Sequence, residues 1–193
     1  MYNLLSIDLD WLKTGNQLKE LNKLFFDKVK SVKKIIFGNH HHIILEDLKN
    51  LKDIHLYNID DHHDIASEPW HVNDIKNNIS THGCWVGNLV EQNRIKKYHW
   101  IKNFNSVPSR PGFYDEELLL RNNVNYIVSE NLDQLQSIEF DHIFICKSIE
   151  YTNREFFGLY DTYFSFCESF YKNITFERRL YTDMPNAKIK LGI

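Results

Sequence analysis

Short apolar segments that alternate with helical patterns are the feature that most constrains the fold of this chain. Strand-length apolar runs occur at residues 4–7, 34–37, 54–59, 126–128 and 143–146, and residues 98–101 are a further candidate for a short strand. Between these runs, apolar residues recur at helical spacing, as Leu18, Leu21, Leu24 and Phe25 do. Strands that alternate with helices predict a mainly parallel sheet with helices on both faces, a three-layer αβα fold of the α/β class.

The helical patterns cover residues 18–32, 44–51, 85–90 and 115–120, and a long aromatic pattern runs to residue 171. Thr152 and Glu155 have capping-box spacing ahead of that last helix. Residues 108–112 predict a loop, and the residues after 171 are expected to form an extended segment that packs on the domain. The 193 residues contain no internal repeat, so a single domain over residues 1–193 is expected.

Composition excludes several classes of protein. The net charge of −3 and the dispersed lysines argue against a nucleic-acid interface or a membrane-surface protein. Cys84, Cys146 and Cys167 have no CxxC spacing, which argues against a disulfide framework or a thiolate zinc site. No apolar run reaches membrane-spanning length and no signal peptide is recognised, so a cytoplasmic protein is expected. The sequence leaves the oligomeric state open.

Three polar clusters follow three of the predicted strands. They contain carboxylates and imidazoles, at Asp8 and Asp10, at His40 within 38–42, and at Asp60, His62 and Asp64. In a parallel α/β sheet, functional groups gather beyond the carboxyl ends of the strands, so the three clusters are expected to meet. A mixture of carboxylate and imidazole suits a pair of Mn²⁺ ions or a related divalent metal.

Each candidate residue also has a purely structural interpretation. Asp8 and Asp10 can cap the turn that follows a strand, and the cluster at 60–64 can be an exposed polar turn. His82 can be an ordinary residue at the start of a helix. Glu150 can be a surface carboxylate that the dipole of the next helix favours.

The clusters resemble the motifs of the arginase/deacetylase (ureohydrolase) superfamily. Gly38-Asn39-His40-His41 is similar to its Gly-Gly-Asp-His-Ser motif, and Asp60-Asp61-His62-His63-Asp64-Ile65 to its Asp-Ala-His-x-Asp-Ile motif. Ser6-Ile7-Asp8-Leu9-Asp10 is similar to Ser-x-Asp-x-Asp. Thr81-His82-Gly83 and Ser148-Ile149-Glu150-Tyr151 resemble the segments that carry the proton shuttle and the guanidinium-binding glutamate. The resemblance covers residues 6 to about 152.

The resemblance implies an arginase-like fold and a dimanganese centre. One ion would be bound by Asp8, His40, Asp60 and Asp64, and the other by Asp8, Asp10, Asp60 and His62. His82 would deliver a proton and Glu150 would receive the guanidinium, whereas His41 and His42 are expected to be supporting or surface groups.

The chain departs from familiar arginases in two respects. Its Ser-x-Asp-x-Asp motif precedes the other two motifs instead of following them, and the chain is shorter than enzymes that act on free arginine. In size it resembles the small peptide arginases, which convert arginine within a peptide to ornithine and release urea. The expected partner is therefore an arginine-containing peptide. The alternatives are a free-arginine or agmatine ureohydrolase, a single-zinc deacetylase or amidohydrolase of the same fold, and a non-catalytic metal-binding or partner-binding protein.

Overall fold

A computed structural model describes residues 1–66, 68–106, 114–171, 174–179 and 189–190. The strands in this part of the chain are β1 (Tyr2–Asp8), β2 (Lys34–Gly38), β3 (Ile54–Ile59), β4 (Ile79–Ser80), β5 (Ile95–Ile101), β6 (Asn125–Ser129), β7 (His142–Cys146), β8 (Thr175–Arg179) and β9 (Ile189–Lys190). The α-helices are α1 (Gly15–Lys28), α2 (Leu45–Leu48), α3 (His71–Lys76), α4 (Trp85–Glu91), α5 (Tyr114–Arg121) and α6 (Phe157–Phe170). Short 3₁₀ turns occupy Leu9–Trp11, His41–Ile44, Leu132–Leu135 and Arg154–Phe156.

The central sheet has seven strands in the order β6-β5-β3-β1-β7-β2-β8, and all neighbouring pairs are parallel. β4 and β9 form a separate antiparallel pair. β1 opens the chain but lies at the centre of the sheet, between β3 and β7. The structure confirms the prediction of an α/β domain with a parallel sheet.

Helices cover both faces of the sheet because strand side chains alternate in direction. On one face, Leu5 and Ile7 of β1 belong to the same buried cluster as Phe25 of α1 and Tyr160 of α6. On the other face, Leu4 of β1 belongs to a cluster that includes apolar side chains from α2, α3, α4 and α5. The sheet is therefore packed on both faces, and the groups at its ends are carried by buried strands. No helix in the described ranges is both long enough and apolar enough to cross a bilayer.

The predicted strands and helices overlap observed ones, and the short candidate at 98–101 is part of β5. The pattern at 18–32 runs past the end of α1 at Lys28, and the pattern at 44–51 runs past the end of α2 at Leu48. The capping-box prediction was wrong. Asn153, not Thr152, caps the turn before α6 by accepting a bond from the Glu155 backbone N–H, while the Thr152 hydroxyl donates to the Lys147 carbonyl.

The loop predicted at 108–112 lies outside the described residues. Of the segment after 171, the described part includes β8, which extends the sheet beside β2.

Candidate metal centre

The register of the central strands brings the predicted clusters to one place. Asp8 at the end of β1 and Gly38 at the end of β2 both lie opposite Cys146, the last residue of β7. Ile7 lies opposite Ile59, the last residue of β3. The residues that follow these four neighbouring strands are therefore side by side at the carboxyl edge of the sheet.

Three buried carboxylates surround the imidazole of His41 at this edge. Its Nδ1 lies 3.5 Å from Asp8 Oδ2 and 3.7 Å from Asp64 Oδ2, and its Nε2 lies 3.6 Å from Asp60 Oδ2. The relative exposures of His41, Asp8, Asp60 and Asp64 are 2%, 2%, 1% and 4%, so bulk water does not solvate these groups. The arrangement puts carboxylate oxygens and imidazole nitrogens in one water-poor volume.

A second group shares Asp60 with the first. His62 Nδ1 is 3.1 Å from Asp10 Oδ2 and 3.8 Å from Asp60 Oδ1, and one atom from each residue lies within 4.8 Å of the others. Asp10 is buried, whereas the His62 side chain is 48% exposed. The two groups adjoin through the two oxygens of Asp60.

The structure places His41, not His40, among the carboxylates. The chain enters a 3₁₀ turn at His41, directly after β2. His40 lies on the wall of the same cavity, where burial lowers the pKa of its imidazole against an opposing effect of Glu150. His41 is not a surface group, because its ring is buried inside the cluster. Its expected role as a supporting group stays a prediction. The side chain of His42 lies outside the described part of the structure.

Neighbouring polar groups hold three of the carboxylates in place. The Ser148 hydroxyl donates to Asp8 Oδ2, and the Asn58 amide donates to Asp60 Oδ2 at 3.0 Å. The Trp85 indole N–H donates to Asp64 Oδ2 at 2.6 Å. Sequence reasoning assigned no role to these three donors. Asn58 alone gave a signal, as an amide side chain near the end of a mostly apolar strand.

The electrostatics of the cluster favour a bound cation. Burial, followed by the charge of Asp10, raises the pKa of Asp8 well above its usual range. Burial and the charge of Asp64 do the same to Asp60, and burial raises the pKa of Asp64 to about 7. Such carboxylates lack sufficient positive charge around them, which a divalent cation supplies.

His62 and Cys146 have different relations to this cluster. The hydrogen bond from His62 to Asp10 raises the pKa of the imidazole to about 9, against the opposing effect of burial, and the charges of nearby carboxylates act in the same direction as the bond. Burial raises the pKa of the Cys146 thiol well above its usual range, and this thiol forms a third group with Asp8 and His41, in which one atom from each residue lies within 4.8 Å of the others. The donors in the other two groups are carboxylate and imidazole.

The cluster forms the base of a cavity of about 560 Å³. All eight residues singled out in the sequence line this cavity: Asp8, Asp10, His40, Asp60, His62, Asp64, His82 and Glu150. Its acidic lining also includes Glu68 and Asp74, and the described residues that line it include no lysine or arginine. The volume is typical of a small-molecule site, and the charge favours a cationic ligand.

The mouth of the cavity carries polar and aromatic side chains from several loops. Tyr151 places its hydroxyl 3.5 Å from His82 Nε2, and its ring makes an edge contact with His62 at 5.7 Å. Trp70, also at the cavity, is 58% exposed. A Cβ atom on Gly83 would lie 2.6 Å from His71 Cε1, so glycine is needed for this ring to pack against the turn that carries His82.

Sequence reasoning gave no functional role to His71, Asp74, Glu68 and Trp70, because the segment before the predicted helix at 85–90 was expected to be a polar loop. Part of that segment folds as α3, which contains His71 and Asp74 on the cavity side. His63 lies between two predicted ligands in sequence but turns away from them, with Nε2 3.9 Å from Asp115.

Comparison of the chain with models of protein families, with curated proteins and with solved structures finds no significant match. The site is therefore interpreted from its own geometry. Four carboxylates and two imidazoles, in two adjoining groups with a shared Asp60, fit a pair of divalent cations in both donor type and charge.

Proposed function

We propose that this protein is a dimetal hydrolase that converts the arginine side chain, within a peptide, to ornithine with release of urea. The observation that carries the proposal is the buried cluster in which His41, Asp8, Asp64 and Asp60 adjoin Asp10 and His62 at the base of an acidic cavity. The arginase-like fold is part of the proposal. It is supported by the central position of β1, which brings the three motifs together despite their altered order along the chain.

In this proposal one cation is bound by Asp8, His41, Asp60 and Asp64, and is called the His41 position. The other is bound by Asp8, Asp10, Asp60 and His62, and is called the His62 position. The distances from the His41 nitrogens to the three carboxylates support His41, in place of His40, as the imidazole ligand of the first cation. Manganese is the proposed metal because carboxylate and imidazole ligands suit it. When bound, a pair of divalent cations lowers the pKa of water so that a nucleophile is present at neutral pH.

Glu150 is proposed to hold the substrate guanidinium. It follows β7 at the carboxyl edge of the sheet and lines the cavity that contains the cluster. A carboxylate can form a charge-assisted, bidentate pair with a guanidinium, which would fix the central carbon above the base of the cavity. A neutral acyl-lysine would leave that carboxylate without a partner, which disfavours a deacetylase.

His82 is proposed to supply the proton that the reaction requires. Water adds to the guanidinium carbon, the bond from that carbon to Nε breaks, and Nε must gain a proton to leave as the ornithine amine. His82 lies at the mouth of the cavity within reach of Tyr151, whose hydroxyl can orient the ring. An imidazole so placed can act as a general acid.

The lining of the cavity supports a peptide substrate over free arginine. Free arginine carries an α-carboxylate, which needs a cationic or hydrogen-bonding partner when it enters a cavity. Four of the seven carboxylates that line the cavity are proposed metal ligands, which leaves Glu68, Asp74 and Glu150 to repel an α-carboxylate, and the described lining residues include no lysine or arginine. An arginine within a peptide lacks the α-carboxylate, and agmatine lacks it as well, so both avoid this repulsion.

The test is urea release by Mn²⁺-loaded protein from four substrates: an arginine-containing peptide, Nα-acetyl-arginine amide, agmatine and free arginine. We expect the first two to be processed much faster than free arginine, and the peptide to lose about 42 Da per arginine, the mass of the group exchanged out as urea when water is added. Faster turnover of free arginine would reject the peptide assignment, and turnover of agmatine alone would indicate an agmatinase. Release of acid from acyl-lysine without any urea would establish the deacetylase alternative.

A further inference from the structure

Trp85 contacts two of the proposed ligands of the His41 position from outside the cavity. Its indole N–H donates to Asp64 Oδ2 at 2.6 Å, and its ring stacks on the His41 imidazole with 5.1 Å between centroids and 8° between planes. Trp85 is completely buried and is not among the residues that line the cavity. It can therefore act on the ligands but cannot touch a substrate.

The helix that begins at Trp85 also holds the backbone of Asp64. Asp64 has a φ of 51°, in the left-handed region, where a residue other than glycine needs support from its surroundings. The backbone N–H groups of Val86 and Gly87 donate to the Asp64 carbonyl at 3.1 and 3.3 Å. A Cβ on Gly87 would lie 2.1 Å from the Ile65 carbonyl oxygen, so only glycine permits this approach.

The two ligands that belong to the His62 position alone, Asp10 and His62, have other partners. Asp10 Oδ1 accepts a bond from the Asp61 backbone N–H at 3.2 Å, and the His62 side chain, which is 48% exposed, lies near Asp10, Asp60 and the Tyr151 ring. Trp85 makes neither the hydrogen bond nor the stacking contact with any ligand that belongs to this position alone. Changes at Trp85 should therefore act on one position and spare the other.

We infer that Trp85 is a positioning residue that sets the metal affinity of the His41 position. This inference rests on the proposed metal centre. The indole N–H occupies one oxygen of Asp64 and fixes the rotation of the carboxylate, while the stacked ring fixes the plane of the imidazole. Partners of this kind orient ligands before the metal arrives, and their loss typically weakens metal binding by about 10–100-fold.

The test compares Mn²⁺ binding to the wild type, Trp85→Phe and Trp85→Leu by competition with a chromogenic chelator and by metal analysis of dialysed protein. Phe keeps a stacking ring but loses the N–H donor, and Leu loses both. We expect about 10-fold weaker binding at one position in Trp85→Phe and about 100-fold in Trp85→Leu, with the other position unchanged. Dialysed variants should then retain one ion per chain where the wild type retains two.

Tyr163→Phe is the matched control. Tyr163 is fully buried in the opposite core, where its hydroxyl donates to Asn22 Oδ1 at 2.6 Å. Its substitution also removes one buried hydrogen bond from an aromatic side chain, so it should lower stability without altering either Kd. Equal effects of Tyr163→Phe and Trp85→Phe on metal binding would overturn the inference.

Wild-type affinity at both positions in folded Trp85→Phe would overturn the inference and leave the metal centre intact. A wild type that binds no divalent metal would overturn both. If neither variant folds, the indole N–H signal of Trp85 in ¹⁵N-labelled wild type decides the question. It should shift when one equivalent of Zn²⁺ is added, and an unmoved signal would contradict the role of Trp85.

Discussion

The base of the cavity and its mouth are built in different ways. The base consists of side chains at or next to the ends of neighbouring parallel strands, and Asp8, Asp60 and Asp64 are at most 4% exposed. The mouth consists of loop residues, of which Trp70 is 58% and Tyr151 is 53% exposed. The register of the sheet determines the relative positions of the side chains at the base, whereas the conformation of the turns determines those at the mouth. The base is therefore suited to bind ions, and the mouth to select and orient a substrate.

The largest effect is expected at the carboxylate shared by both groups. Asp60→Asn should abolish detectable turnover and empty both metal positions, because the two oxygens of Asp60 face His41 and His62. Metal analysis after dialysis and the urea assay measure the outcome.

Asp61→Asn provides the control one residue away. The Asp61 side chain turns out of the cluster to Lys13, at 3.0 Å, and to the Ser106 hydroxyl, at 2.7 Å. It should leave both ions bound. Loss of metal in Asp61→Asn alone would show that the base of the cavity has been assigned to the wrong carboxylate.

The next largest effect is expected at the mouth. His82→Asn should keep both metals but lower kcat by about 10²–10⁴-fold, the usual contribution of a positioned acid or base. His55→Asn is a suitable control because His55 lies near the amino end of β3, away from the cavity. Unchanged turnover in His82→Asn would leave His82 with only a structural role.

A smaller effect is expected from Glu150→Gln, which keeps the shape of the side chain but removes its charge. Misplacement of the guanidinium should lower kcat/KM by about 10²-fold or more, with the metal content unchanged. Glu155→Gln, an exposed change in the turn before α6, should have no effect. Loss of metal in Glu150→Gln would show that Glu150 takes part in metal binding rather than in substrate binding.

Asp60→Asn, which should abolish activity, is expected to increase the free energy of unfolding of the metal-free protein. The pKa of Asp60 in the folded state is raised above its unfolded value, so folding is favoured at low pH and that contribution is lost as pH rises. The Asn variant lacks this penalty. In chelator at pH 8 it should therefore be more stable than the wild type.

Urea unfolding at pH 5 and pH 8 measures this difference, which should shrink at the lower pH. Equal destabilisation by Asp60→Asn at both values would show that the cluster is not electrostatically unfavourable without metal. It would weaken the argument that the base of the cavity is built for cations.

The base was largely predictable from sequence and the mouth only in part, because His82 and Glu150 were singled out but the residues of α3 were not. A polar cluster directly after an apolar run defines a strand end, and parallel strands bring such ends together, so Asp8, Asp60 and Asp64 could be assigned in advance. The choice between His40 and His41 could not be made, because adjacent side chains leave a 3₁₀ turn in different directions and the sequence does not give the start of the turn.

The outermost parts of the fold were also difficult to predict. β8 has the sequence Thr-Phe-Glu-Arg-Arg, in which charges replace the usual apolar pattern. This edge strand is held by ion pairs, from Glu177 to Lys34 and from Arg179 to Asp47, which no local pattern shows. α3 spans only six residues, too few for a helical pattern to stand out from the polar segment around it.

Anomalous diffraction at the manganese absorption edge, from crystals grown with Mn²⁺, tests the central claim most directly. We predict two peaks about 3.5–4 Å apart, one bound by His41 and the other by His62, with Asp60 in contact with both. A single peak, or a peak bound by His40 with His41 outside its coordination sphere, would contradict the account.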